Sequence, residues 1–376
     1  MKVMTILGTR PEIIRLSRVI ARLDEACDHV LVHTGQSHDR ALSDVFFEDL
    51  GLRAPNHHLG VRADTLGGQL GNILSGSERV LKEEKPEALV VLGDTNSALS
   101  AIMAKRMRVP VYHMEAGNRC FDWNVPEETN RRMIDHIADF NLVYTEHARR
   151  NLLAEGLPPR RIALTGSPMR EVLEHYRDDI EASDVLGRME LQPRAYIVAS
   201  VHREETVDNP EHLSLVAETL TRLSQRFDRP VLVSTHPRLR RRMEEAGNPV
   251  VGDGVRFHPP FGLLDYVKLQ KNAFCTVSDS GTLAEEAAIL QFPAVSLRNA
   301  TERPEGVEAG AMLLTGIDPE TVCQAIAWQT GRFAAGERPA CPPDYEIADT
   351  SARVVSLVLG TARLMHRWVG IDPRGA

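Results

Sequence analysis

Short apolar runs and longer amphipathic stretches take turns from the first residues onward. Residues 3–7 read as a buried strand, 11–23 as a helix, 29–33 as a strand and 41–50 as a helix. The alternation continues with strand 88–92, helix 96–107, strand 109–114 and strand 141–144. Apolar runs that lack polar alternation belong to strands covered on both faces, so the pattern predicts a parallel sheet flanked by helices. After a helical stretch at 168–180 the chain turns charged and loses its period up to Pro193. A strand at 195–201 restarts the alternation, and strands at 230–234, 273–277 and 294–297 follow with helices between them. The expected fold class is α/β, with two Rossmann-like doubly wound domains facing a cleft, residues 1–185 and 186–349. A last helical stretch, about 350–376, follows a connection holding Pro339, Pro342 and Pro343 and is expected to return to the first domain.

Size and composition agree with this division. A chain of 376 residues is longer than one core usually supports, and its 43% hydrophobic and 26% charged residues are those of an ordinary globular protein. The net charge of −8 opposes general affinity for nucleic acid or an anionic membrane, so an anionic ligand needs a local basic pocket. Arg238, Arg240, Arg241 and Arg242 form the densest basic cluster, at the spacing of a solvated helix face. Five scattered cysteines without CxxC spacing fit neither a disulfide framework nor a zinc knuckle, which suits a cytoplasmic protein. No signal-peptide pattern and no run long enough to span a membrane is seen, and the histidines lack metal-ligand spacing, so no metal is expected.

In open α/β sheets ligands bind beyond the carboxyl ends of strands, which makes the polar residues after each apolar run the informative ones. Five junctions stand out: Gly8-Thr9-Arg10-Pro11-Glu12, Gly93-Asp94-Thr95-Asn96, Glu115-Ala116-Gly117-Asn118-Arg119, Ser200-Val201-His202-Arg203-Glu204 and Ser278-Asp279-Ser280-Gly281-Thr282. The first lacks GxGxxG and GxxxxGK, which argues against a dinucleotide, yet a glycine turn with Arg10, and Arg15 on the same helix, suits an oxyanion. Ser280, Gly281 and Thr282 open a helix containing Glu285 and Glu286, and both a plain helix start and a diphosphate cradle fit them. Asp94 and Glu115 each end an apolar strand, and Glu127 and Glu128 begin a helix after Pro126. Clustered carboxylates suit proton transfer at carbon, while capping and helix-dipole preferences place the same residues. His202 follows the first strand of the second domain.

Taken in order along almost the whole chain, these motifs resemble the non-hydrolysing UDP-N-acetylglucosamine 2-epimerase family. The resemblance rests on the five junctions together with Pro126-Glu127-Glu128-Thr129-Asn130-Arg131 and Thr301-Glu302-Arg303-Pro304-Glu305. It implies a GT-B-like fold, a homodimer, no cofactor and a role in making surface polysaccharide precursors. It also implies a reaction in which UDP leaves C1 as the C2 proton is lost and then re-adds to a bound 2-acetamidoglucal. By resemblance Asp94, Glu115 and Glu127 form the acid/base set and His202 supports the diphosphate or proton transfer. Arg10, Arg15, Ser280, Gly281, Thr282, Glu286 and Arg303 hold UDP or orient the site. The family's usual lysine on the first helix is Arg15 here. The short segment 117–126, Ser234-Thr235-His236-Pro237-Arg238 and Thr282 resemble a branch acting on UDP-2-acetamido-2,6-dideoxy-L-talose or UDP-2,3-diacetamido-glucuronate. A GT-B glycosyltransferase, a hydrolysing epimerase and a non-catalytic UDP-sugar binder are the competing readings.

Overall fold

The structure is a computed structural model that describes residues 1–36, 46–247, 249 and 251–370. It divides into two compact units. One takes Met1–Arg119, Val125–Leu173 and Ile347–Ala376, and the other takes Cys120–Asn124 and Glu174–Glu346.

The first unit is built on a seven-stranded sheet. Its strands are β1 (Lys2–Leu7), β2 (Asp28–His33), β3 (His57–His58), β4 (Ala88–Leu92), β5 (Val111–Ala116), β6 (Phe140–Val143) and β7 (Ile162–Leu164). They lie in the order β3-β2-β1-β4-β5-β6-β7, every neighbouring pair parallel. Parallel strands need crossovers, supplied by α1 (Arg10–Ala26), α2 (Leu66–Glu84), α3 (Ala101–Arg106), α4 (Pro126–Ile137) and α5 (Glu146–Ala154). Met4, Ile6, Val30, Val32, Leu89, Val91 and Val111 pack in one core, which is why these strands read as unbroken apolar runs. The order reverses between β1 and β4, so the loops beginning at Gly8 and Gly93 stand at a topological switch point.

The second unit repeats the plan with β8 (Ile197–Ser200), β9 (Val231–Ser234), β10 (Val255–His258), β11 (Cys275–Ser278), β12 (Ala294–Ser296) and β13 (Leu313–Leu314), in the order β10-β9-β8-β11-β12-β13 and again all parallel. Its helices include α6 (Pro210–Phe227), α7 (Leu263–Asn272), α8 (Leu283–Leu290), α9 (Pro304–Glu308) and α10 (Pro319–Ala334). Here the reversal lies between β8 and β11, which sets His202 and Asp279 at the switch point. The C-terminal helix α11 (Thr350–Thr361) belongs to the first unit and lies on α1. Arg22 Nε donates to Ser351 Oγ at 2.9 Å, Thr350 Oγ1 donates to the Thr165 carbonyl at 3.0 Å, and Val354 and Val358 are buried.

Several elements differ from the sequence reading. The helix expected at 96–107 is a 3₁₀ turn, Asn96–Ser100, continued by α3, and the one expected at 168–180 is Met169–His175 followed by Arg177–Ala182. The helix expected at 41–50 falls partly outside the described residues, with 46–49 helical. The edge strands β3, β7, β10 and β13 went unread because they are short or half-exposed; in β10, Arg256 and Phe257 face solvent. The arginine cluster lies on the helix Pro237–Glu245, where Arg238 pairs with Glu204 and Arg242 with Asp208.

Candidate active site

One strand beyond the switch point of the first unit, next to β4, the backbone itself is unusual. Strand β5 carries a register shift between Met114 and Ala116, and the extra residue, Glu115, sits at φ 63°. A non-glycine residue in the left-handed region costs on the order of 1–3 kcal/mol and persists only where its surroundings hold it. Here the buried Arg15 guanidinium, five residues along α1 from Arg10, pairs with Glu115 Oε2, and Asn118 Nδ2 donates to Oε1 at 3.5 Å. Glu115 lies so close to β4 that a Cβ on Gly93 would stand 3.5 Å from its Oε2. The bulge thus turns a carboxylate out of the strand toward the residue that precedes Asp94.

Asp94 accepts from Arg131 Nε at 3.0 Å and Nη2 at 2.6 Å, and its carbonyl accepts from Asn130 Nδ2 at 2.9 Å. Both donors stand on α4, whose buried face is charged: Glu128, Arg131 and Asp135 are almost wholly inaccessible. Glu128 accepts from Arg131 Nη1 at 3.2 Å and from Arg132 Nη2 at 2.9 Å. Asp135 takes Arg119 Nη1 at 2.7 Å and stands 2.9 Å from His113 Nδ1, whose Nε2 meets the Gly93 carbonyl at 2.7 Å. Unpaired buried charge is costly, so this lattice locks the β4 and β5 loops against one helix. Glu155 fastens its outer edge, and hydrogen bonding from Arg119 holds that carboxyl down at about 2. Glu127 stands half-buried in the first turn of α4, beside the fully engaged Glu128.

The turn after β1 is organised by a residue that sequence reasoning passed over. Glu12 is fully buried and accepts from Gly8 N at 3.0 Å, Thr9 N at 2.8 Å and Thr9 Oγ1 at 2.8 Å. Its other oxygen accepts from Thr95 Oγ1 at 3.0 Å. The carboxylate joins the loop of Arg10 to the loop of Asp94, and burial pushes it up to about 7 despite these donors. Arg10 is half-buried with its guanidinium 5.0 Å over the Phe46 ring. Gly8 has no room for a side chain, since a Cβ would meet Thr34 Oγ1 at 2.0 Å and Ser97 Oγ at 2.1 Å.

In the second unit His202 and Asp279 form a pair. Asp279 Oδ2 accepts from the backbone N–H groups of His202 and Arg203, each at 2.9 Å, and Oδ1 lies 2.9 Å from His202 Nδ1. Burial pushes the Asp279 carboxyl up, but His202 and the two amides outweigh it and bring it to about 2. With Nδ1 beside this carboxylate, Nε2 is the ring nitrogen left for a further partner, on a side chain that is 35% exposed. Ser280 and Thr282, whose hydroxyls are 2.9 Å apart, open α8 at the same switch point. Gly281 lies close under the Glu302–Arg303 pair: a Cβ there would stand 2.5 Å from Glu302 Oε1 and 2.9 Å from Arg303 Nη1, so any side chain would push these tips aside. Arg303 is buried and engaged, donating to Glu285 at 3.1 Å and Glu302 at 2.5 Å, so it orients the loop. Glu286, one turn into α8, is buried with Gln270 Nε2 at 2.7 Å. Among the described residues no group of three or more His, Cys, Asp or Glu side chains is placed to hold a metal ion.

The expected site residues divide between the units: Arg10, Arg15, Asp94, Glu115 and Glu127 lie in the first, where Arg15 meets Glu115 beside the Asp94 loop, and His202, Ser280, Gly281, Thr282, Glu286 and Arg303 lie in the second. The partners given no role from sequence were Glu12, Arg131, Asp135, Gln270 and Asp279, while Glu128 was weighed there only beside Glu127. A signal existed for Arg131 and Asp135: with Glu128 they recur at helical spacing, i, i+3 and i+7, along the face of α4 that also carries Ile134 into the core.

The family model for UDP-N-acetylglucosamine 2-epimerase matches residues 21–359. The chain belongs to this family. It is an isomerase by class, an epimerase. It is similar to the UDP-N-acetylglucosamine 2-epimerase of Methanocaldococcus jannaschii, 37% identical over 87% of this chain and 91% of that one. Among solved structures, that of the UDP-N-acetylglucosamine 2-epimerase from Rickettsia bellii is 44% identical, with a TM-score of 0.91 over 98% of this chain and 99% of the other. That of the Methanocaldococcus jannaschii epimerase in complex with UDP-GlcNAc and UDP is 34% identical, with a TM-score of 0.90 over 96% of this chain and 100% of the other. The family's other branch is present too: the UDP-2,3-diacetamido-2,3-dideoxy-D-glucuronate 2-epimerase of Pseudomonas aeruginosa is 32% identical over 88% of this chain and 93% of that one. Acinetobacter baumannii MurG, 12% identical with a TM-score of 0.54 over 96% of this chain and 99% of that one, shares the GT-B-like fold alone. No helix of this epimerase, among the described residues, is long and apolar enough to cross a membrane.

Proposed function

We propose that the chain inverts C2 of a UDP-2-acetamido sugar by eliminating UDP and adding it back. A carboxylate removes the C2 proton as the C1–O bond breaks, which leaves a 2-acetamidoglucal and UDP. UDP oxygen then reforms the bond to C1 while an acid delivers a proton to the opposite face of C2. The observation that carries this reading is the strained, bulged Glu115 against buried Arg15 beside the Asp94 loop. It supplies the paired carboxylates that proton transfer on two faces requires, and strain of this kind is kept where function needs it.

The first unit then supplies the acid/base set, Asp94, Glu115 and Glu127, with Arg10 and Arg15 as cations for the departing diphosphate. The second unit supplies UDP binding: the Ser280-Gly281-Thr282 turn for phosphate, His202 held by Asp279 as a donor to it, Glu286 for ribose hydroxyls, and Arg303 to hold the turn in shape. UDP-N-acetylglucosamine is the first substrate to try, since the relatives named for it are the more similar. A cytoplasmic location and a homodimer complete the reading, the first supported by cysteines without disulfide spacing and the second by resemblance to the family.

Proton NMR of UDP-N-acetylglucosamine, and of UDP-2,3-diacetamido-glucuronate, incubated with the protein in D2O tests the proposal. Deuterium at C2 together with a C2-inverted UDP sugar is expected. Free UDP with free N-acetylmannosamine would mean a hydrolysing enzyme, and no exchange despite UDP binding would end the epimerase reading.

A further inference from the structure

Two adjacent glutamates on α8 are drawn to different partners. Glu285 is fully buried and accepts from Arg303 Nε at 3.1 Å, which ties it to the loop carrying Glu302. Glu286, also buried, accepts from Gln270 Nε2 at 2.7 Å across from α7. Gln270 is itself 1% exposed, and its Oε1 has no hydrogen-bond partner. An apolar side chain of similar length would fill the same space without stranding an oxygen away from water. As a packing element, then, the amide is a poor choice, and the one polar contact it makes is with Glu286.

Position explains why that contact matters. Glu286 N donates to the Thr282 carbonyl at 2.9 Å, so its residue lies one helical turn, about 5–6 Å along the axis, beyond the Ser280-Gly281-Thr282 turn. If that turn takes the diphosphate, the nucleoside ribose falls beside Glu286. A carboxylate that reads two vicinal hydroxyls must keep its plane fixed, because rotation about its last torsion is soft and each O–H···O⁻ bond is directional. A charge-assisted bond from a buried, rotamer-locked amide supplies that constraint.

We infer that Gln270 is a positioning residue for nucleotide selection: through its amide bond it fixes the Glu286 carboxylate so that the site distinguishes a ribonucleoside diphosphate from its deoxy forms. The inference rests on the reading of Glu286 as the ribose acceptor.

Binding of UDP, 2′-deoxy-UDP and 3′-deoxy-UDP is measured by calorimetry for the full-length protein and for Gln270→Met, Gln270→Leu and Glu286→Gln, with a melting curve for each. Glu286→Gln is expected to erase the preference for UDP over at least one deoxy form. Gln270→Met is expected to reduce that preference by about tenfold, with a modest fall in melting temperature, since the stranded oxygen is gone but the buried Glu286 carboxylate loses its amide donor. Gln270→Leu gives the same reading should the methionine variant fail to fold. If Glu286→Gln keeps the preference, the ribose reading itself falls and this inference with it. If Glu286→Gln loses the preference while both Gln270 variants keep it, the inference alone is overturned. Equal weakening of all three ligands together with a lower melting temperature also overturns it, since that is the signature of plain packing.

Discussion

Glu115 can stay in the left-handed region only because Arg15 and Asn118 hold its carboxylate, and that combination of strain and buried charge sets it apart from the many other acidic residues of the chain. Asp94 is the opposite case: its backbone is ordinary, but both of its cationic contacts come from a single arginine on α4. An amide at this position can still accept one hydrogen bond from Arg131 but cannot act as a base. Asp94→Asn is therefore expected to bind UDP as the parent does and to lose about 10²–10⁴-fold in turnover. C2 exchange in D2O reads the turnover and calorimetry reads the binding; unchanged turnover would remove Asp94 from the mechanism.

At the scale of elements, the arrangement depends on how closely backbones approach. Helix α4 buries charge where most helices bury leucine, and it can do so because Glu128, Arg131 and Asp135 find partners on the β4 and β5 loops. The segment from β5 into α4 passes directly against α5: Gly117 has φ 78°, its N–H donates to Asp135, and a Cβ there would lie 2.4 Å from the Ala148 carbonyl oxygen. Helix backbone cannot move aside as a side-chain tip can. Gly117→Ala is accordingly expected to destabilise by about 2–4 kcal/mol, from left-handed strain and the forced displacement of α5. A melting temperature within a degree or so of the parent would contradict that.

For the whole molecule, the balance of buried carboxyls fixes how stability varies with pH. Asp279 and Glu155 are held at about 2, below their unfolded values of 3.8 and 4.5. Their contribution is present above those unfolded values and disappears as the pH falls toward 2. Glu12 has the reverse sign. Its folded carboxyl keeps a proton up to about 7 whereas the unfolded one releases it near 4.5, so its contribution is complete below 4.5 and is lost as the pH rises through 7. The difference amounts to about 3 kcal/mol. Glu12→Gln is expected to flatten the fall in melting temperature between pH of about 5 and about 8, while leaving the acid collapse below about 4 in place. A slope unchanged in that variant would show that Glu12 is not the titrating group.

The central strands and the order of motifs could be read from the chain alone, because a strand covered on both faces must be apolar throughout and a ligand loop must follow it; both are local demands. The short edge strands β3, β7, β10 and β13 leave no such mark, since their pairing is made by the neighbouring strand and not by their own residues. The choice between Glu127 and Glu128 was likewise invisible. Both satisfy the first turn of a helix and both have arginines at helical spacing on α4; it is the packing of α4 on the sheet that turns Glu128 inward and leaves Glu127 half-open. The same holds for Arg15 with Glu115, one hundred residues apart, and for Gln270 with Glu286. Sequence determines which residue types stand at the strand ends. Which of them carry buried charge, and toward what they are turned, is settled by neighbours that only folding brings within 3 Å, the range at which desolvation and hydrogen bonding decide the outcome.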